Sequence, residues 1–273
     1  MPTFTGKTFA SFYKNILGLN QAGNTGCDAT TRVIHDGAGQ STALSLSDDV
    51  LSVQPVNDDT TATLIIKNNA GNNILAVDTT NSKVLGGASQ TALNTQYAYF
   101  GIHSSDSGFA GASADTHYAV PFTNTTSTLT ALVGMGSSTS SSFNDTNPAT
   151  SLTISTTAPH VTIMYWYVMD NITIDAVKWL HAADTATGEA TAAHLMAYTV
   201  DIANGSTSGD LSSGVVVADS ANITNAGYEQ IYYNAMTIQS ADVDAGKVIM
   251  FTFASDTVNS DYSINATVKY HIR

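Results

Sequence analysis

Of the 22 acidic residues in this 273-residue chain, only Glu189 and Glu229 are glutamate; the other 20 are aspartate. Helices draw on Glu, Lys, Leu and Arg, whereas strands and turns draw on Thr, Tyr, Val, Asn, Asp and Gly. Most remaining polar positions are Ser, Thr and Asn. The chain is therefore expected to be nearly all β.

Net charge narrows the function. Nine Lys and Arg stand against the 22 acids, for a formal charge of −13, and the basic residues are scattered singly. Such a surface offers no footprint for a phosphate backbone, so nucleic acid is not an expected partner. An anionic membrane surface repels it too. Charged residues make up only 11% of the chain and apolar ones 43%, which excludes a disordered acidic tail. Cys27, the one cysteine, has no partner for an internal disulfide and sits beside Asp28 without any paired ligand spacing. The run Val161 to Met169 is too short to cross a membrane, and the start of the chain does not read as a signal peptide. Assembly in a reducing cytosol is expected.

One segment departs from the β pattern. Phe9, Phe12, Tyr13, Ile16 and Leu17 recur at helical spacing, and Gly18 follows where a helix end favours glycine. A short amphipathic helix is expected over residues 8–17. Its aromatic face needs a dock, either on its own domain or on a neighbouring subunit or larger assembly.

Short strands punctuated by turns come next. His35 to Gly39 is a turn cluster before Ala43 to Ser47 and Val50 to Val53. Asn57 to Asp59 precedes Ala62 to Lys67, and Asn68 to Asn73 precedes Ile74 to Asp78 and then Lys83 to Leu85. Strands this short, several apolar on both faces, bury little in one chain and suit a sheet completed by partner chains. The stretch Gly134 to Asn147 is small and polar and reads as a long loop. Beyond it, Ser151 to Thr156, Val161 to Met169, Ile172 to Leu180, Ala192 to Ile202, Gly214 to Ala218, Tyr228 to Ile238, Lys247 to Phe253 and Tyr262 to Ile272 read as strands. In the last of these Tyr262, Ile264, Ala266, Val268 and Tyr270 alternate with polar residues. Eight such strands most economically form a two-sheet antiparallel jelly roll. The domain reading is 1–20 as an anchor helix, 21–95 as a small β-rich assembly domain, 96–150 as a connection that includes the first jelly-roll strand, and 151–273 as the jelly roll.

Candidate chemistry is sparse. His181, Asp184, Glu189 and His194 fall around one loop, but their spacing fits no zinc or calcium loop. Asp242 and Asp244 present alternating oxygens without the later ligands of a calcium loop, which leaves a calcium site there open. There is no nucleophile elbow, phosphate loop, dinucleotide fingerprint or zinc-protease motif. Tyr165, Trp166, Tyr167, Tyr232 and Tyr233 suit sugar stacking as well as a core or a subunit interface. Neither an enzymatic activity nor a cofactor or metal is expected.

The block Phe9 to Leu17, the turn Asp36 to Gly39 and the run Ala76 to Val84 resemble the N-terminal parts of virion surface proteins of tailed bacteriophages. Asp115 to Phe122 and Asp244 to Phe251 are similar to the first and penultimate strands of phage jelly-roll domains. The resemblance implies a homotrimer, its N-terminal part attached to the particle and a C-terminal jelly roll facing outward, on the surface of a virion assembled in the host cytoplasm. The long shaft of a typical tail fibre is missing, which favours a capsid decoration or cement protein. Its expected partners are itself and the major capsid protein or another virion protein, with Phe9, Phe12, Tyr13, Ile16 and Leu17 as the attachment residues. The alternatives are a short tail fibre or receptor-binding protein that recognises host glycans, and a carbohydrate-binding module or polysaccharide-active enzyme.

Overall fold

The computed structural model describes residues 17–21, 26–102, 114–123, 133–137, 147–152, 162–184, 188–200, 210–227, 230–256 and 261–273. These residues form several antiparallel sheets and no α-helix. The expected helix at 8–17 lies outside the described residues except for Leu17, which is exposed, and Gly18 begins a strand. The chain divides into two compact units, Met1–Leu93 and Asn94–Arg273.

The first unit holds two four-stranded sheets. One runs in chain order through β1 (Gly18–Leu19), β2 (Arg32–His35), β3 (Ser41–Leu46) and β4 (Leu51–Val53). The other runs through β5 (Leu64–Lys67), β6 (Asn73–Asp78), β7 (Lys83–Gly86) and β8 (Thr91–Ala92). Each is a meander in which every strand pairs with its neighbour in sequence, and short turns make every connection except the longer one from β1 to β2.

The second unit contains β9 (Thr95–Ile102), β10 (Thr116–Val120), β11 (Gly134–Ser137), β12 (Trp166–Tyr167), β13 (Ile172–Asp184), β14 (Ala190–Val200) and β15 (Leu211–Asp219). It continues through β16 (Ile223–Thr224), β17 (Gln230–Ala235), β18 (Thr237–Ile238), β19 (Asp242–Val243), β20 (Lys247–Ser255) and β21 (Asp261–Ile272). One sheet has the order β17-β13-β21-β9, with β19 beside β13. The other has the order β11-β10-β20-β14-β15-β18, with β12 on β20 and β16 on β14.

The two sheets share a core. Phe100, Val177, Trp179, Ile264, Ala266 and Val268 from the five-stranded sheet bury against Val120, Leu195, Phe251 and Phe253 from the eight-stranded one. In β21 the alternation expected from Tyr262 to Tyr270 is observed: Tyr262, Ile264, Ala266 and Val268 are buried, and Tyr270 is partly buried against the same core. A second core lies on the opposite face of the eight-stranded sheet, where Met135, Met164, Met196, Tyr198 and Met250 meet. Gly214 of β15 admits this packing, because a Cβ there would stand 2.5 Å from the Tyr198 ring and 2.9 Å from the Thr150 backbone.

Three sequence expectations change. Val161 to Met169 is not one strand; the described part is a 3-10 turn at Thr162–Met164 followed by the two-residue β12. Met164 enters the second core while Val168 enters the first, so the chain here passes from one face of the sheet to the other and cannot remain extended. Tyr228 to Ile238 is divided between β17 in one sheet and β18 in the other, with the break at buried Met236, whose N–H donates to Val177 O. Gly134–Ser137, expected in a loop, forms β11 along β10.

Candidate functional site

The first unit combines ordered hairpins with almost no interior. Among its described residues only Ala76 and Asp78 are buried, and Asp78 is occupied locally, its carboxylate accepting from the Asn81 backbone and side-chain amides at 2.9 and 2.8 Å. Besides Leu17, ten aliphatic side chains among the described residues stay outside. Leu44, Val50, Leu51, Val56, Leu64, Ile65, Ile66, Ile74, Val84 and Leu93 have between 37% and 65% of their surface open. Strand β5 is exposed along its whole length, so Leu64 and Ile66 project from one face and Ile65 from the other. Fully burying such a side chain is worth about 1.5–3 kcal/mol. The largest unrealised hydrophobic stabilisation in the unit therefore lies at its surface.

What holds the hairpins is turn chemistry, and it is used twice. At Asp36 the carboxylate accepts from Ala38 N at 2.9 Å and Gln40 N at 2.8 Å, while Gly39 N donates to Asp36 O and Asp36 N to Gln40 O. At Asn68 the side-chain oxygen accepts from Ala70 N at 3.0 Å and Asn72 N at 2.9 Å, while Gly71 N donates to Asn68 O and Asn68 N to Asn72 O. Gly39 and Gly71 both take a left-handed backbone, with φ of 83° and 86°. An Asp or Asn that bonds its own turn, followed three residues on by glycine, closes both β2–β3 and β5–β6. The correspondence Asp-Gly-Ala-Gly-Gln and Asn-Asn-Ala-Gly-Asn is visible in the sequence, yet as an internal repeat it is easily missed because the strands around it differ. Repeated units that cannot each enclose a core gain stability by stacking on other units or chains.

The polar cluster of the second unit is divided by a sheet. His181 on β13 faces the first core, stacked between the Trp179 and Tyr232 rings at centroid distances of 4.7 and 5.0 Å. Its Nε2 lies 3.4 Å from both Asn225 Oδ1 and Thr191 Oγ1. Nearby, the Ser255 hydroxyl donates to the buried Glu189 carboxylate and lies 3.2 Å from the Tyr262 hydroxyl. His194 on β14 points to the other side, where its Nε2 is 3.2 Å from Asp219 Oδ1 and its ring stands edge-on to His117 at 4.8 Å. Burial pushes both His181 and His194 down to about 4, so both rings are neutral at pH 7. Burial also raises the Asp219 carboxyl. The Ser255 hydroxyl is thus aimed at a carboxylate and not at an imidazole.

The residues picked from sequence are thus only partly brought together. His181 and Glu189 share the interior between the sheets, His194 lies behind β14, and the Asp184 side chain is outside the described residues. Among the described residues no group of three or more His, Cys, Asp or Glu side chains is placed to hold a metal. Asp242 and Asp244 are bridged by Arg273, at 3.1 and 3.0 Å, and Asp242 also accepts from the Thr173 hydroxyl at 2.7 Å. Of the attachment residues expected from sequence, Phe9, Phe12, Tyr13 and Ile16 lie outside the described residues, and Leu17 is exposed. Among the described residues no helix is long and apolar enough to cross a membrane. The chain matches no protein-family model and no curated protein.

Proposed function

We propose that this protein is a structural component of a bacteriophage virion, a homotrimeric capsid decoration or cement protein that attaches through its N-terminal part and carries a jelly roll outward. The observation that carries the assembly role is the first unit, where two of the described residues, Ala76 and Asp78, are buried beneath a surface of open aliphatic side chains. A unit with that distribution is stabilised by covering its strands with other chains, and partner binding then adds to the stability of the assembled form by mass action. The phage setting rests on the resemblance of Phe9 to Leu17, Asp36 to Gly39 and Ala76 to Val84 to virion surface proteins.

The jelly-roll reading is supported by strand order. Taking β9, β10, β13, β14, β15, β17, β20 and β21 as its eight strands in sequence, one sheet contains the first, eighth, third and sixth, and the other the second, seventh, fourth and fifth. Two interleaved Greek keys produce that alternation.

Native mass spectrometry of the purified chain and imaging of intact particles with labelled protein test the assignment together. A trimer, with copies distributed over the head in numbers comparable with the capsomers, is the expected result. Deleting residues 1–20 is expected to abolish attachment while leaving the second unit folded. A monomer, or a few copies confined to the tail, overturns the decoration role.

A further inference from the structure

The outward face of the five-stranded sheet differs in chemistry from the chain as a whole. Strand register places Leu180 opposite Tyr233 and Ala182 opposite Ile231, forming an apolar strip beside the edge strand β17. Ile231 is 74% exposed, Tyr233 57% and Leu180 42%. Along the neighbouring rungs Lys178 pairs with Thr267, which pairs with Tyr99, and Lys269 pairs with Tyr97. Lys178 Nζ sits 5.9 Å from the Tyr233 ring centroid. From the Lys269 rung to the Ala182 rung, the paired outward side chains described include two lysines and no acid, on a protein with 22 acids and nine Lys and Arg; Asp175, at the bulge before this stretch, is engaged by His271, and Asp184 pairs with Asp261 on the outward rung after it.

We propose that this face is a contact with a second copy of the chain. The inference rests on the homotrimeric reading and adds a subunit contact in the second unit. Two features on the face select the occupant. Exposed tyrosine and aliphatic side chains with few charges are the composition of an interface centre, not of a solvated sheet. Charge supplies the rest. Copies of a chain at −13 repel one another over most of their surface, and a patch carrying only lysines is where another copy's acid-bearing surface meets attraction instead. A cyclic trimer is built from such heterologous contacts, in which one patch meets a different patch of the neighbour and the ring closes.

Thiol accessibility in the full chain tests this. In a Cys27→Ser background, Tyr233→Cys places one thiol on the outward strip, where a lone protomer leaves it open. In the native oligomer it is expected to react with a maleimide many-fold more slowly than in denaturant. Combining Lys178→Glu with Lys269→Glu in that background is expected to restore fast labelling, and so is high salt. A trimer by native mass whose thiol reacts freely overturns this contact while leaving the trimer in place. A monomer removes the homotrimeric reading and this contact together. A thiol open in the isolated trimer but closed on whole particles assigns the face to another virion component and overturns the self-contact.

Discussion

His194 Nε2 lies 3.2 Å from Asp219 Oδ1, yet the ring is held neutral by its burial, and the carboxyl is itself raised by burial. The contact is therefore a hydrogen bond from a neutral imidazole at pH 7, not a full ion pair. His181 is suppressed by the same cause on the other side of the sheet. For both, the folded value near 4 lies below the unfolded 6.5, so between those limits the unfolded chain binds more protons and stability falls as pH falls. From pH 7 to 5 the expected loss is about 2 kcal/mol per ring. Denaturant unfolding of the second unit's tryptophan signal at the two pH values checks this, and equal midpoints at pH 5 and 7 would refute it. Replacing His181 by Asn should remove about half of the pH dependence that the two rings supply.

Ser255 and Glu189 form the second test. Ser255→Ala removes a hydroxyl donor to a buried carboxylate, and an under-satisfied buried acceptor costs about 1–3 kcal/mol. Adding Glu189→Gln to that variant is expected to recover part of the loss, because a neutral amide costs less to desolvate. A double variant less stable than Ser255→Ala alone would show that Glu189 is sustained by other partners.

The two repeated turns give paired predictions. Gly39→Ala and Gly71→Ala each place a Cβ on a left-handed backbone, at a cost of about 1–2 kcal/mol. Neither position has a neighbour within 4 Å of the added carbon, so the penalty is conformational and should be nearly the same at both. Calorimetry of the two variants checks the match. Costs that differ by a factor of several would mean that the turns are not equivalent.

Gly214→Ala should be costly for another reason. The new methyl meets a buried tyrosine ring and the Thr150 backbone, neither of which is the free end of a flexible side chain. Overpacking of this kind costs about 1–3 kcal/mol. Loss of the hydrogen bond from Tyr198 OH to Ala149 O, 2.9 Å in the native chain, should accompany it and is detectable as a change in near-ultraviolet circular dichroism. An unchanged spectrum and midpoint would contradict the close approach.

The β class was legible because the Asp, Thr and Asn composition disfavours helices and because β21 alternates with a strict period of two. The short strands β3, β5, β6 and β7 were legible from the turns between them. Val161 to Met169 was misread because its apolar residues serve two cores on opposite faces of one sheet, a demand that leaves no period. Tyr228 to Ile238 was misread because a change of sheet at Met236 costs no change in residue type. His181, Glu189 and His194 are close in sequence, but the two faces of β14 separate His194 from the other two. Their spacing carried no information about that division. The apolar surface of the first unit was visible as strands with too little to bury, whereas the outward strip of Leu180, Ile231 and Tyr233 depends on the register between two strands far apart in sequence.

The twin turns at Asp36 and Asn68 have an evolutionary consequence. A hairpin closed by its own side chains carries its folding instructions with it, so duplication of such a segment yields a second working hairpin at once, without compensating substitutions elsewhere. Divergence can then act on the strands, changing which apolar residues face outward while the turn stays fixed. Where a chain is extended in this way, the shared signature lies in the bends and not in the strands.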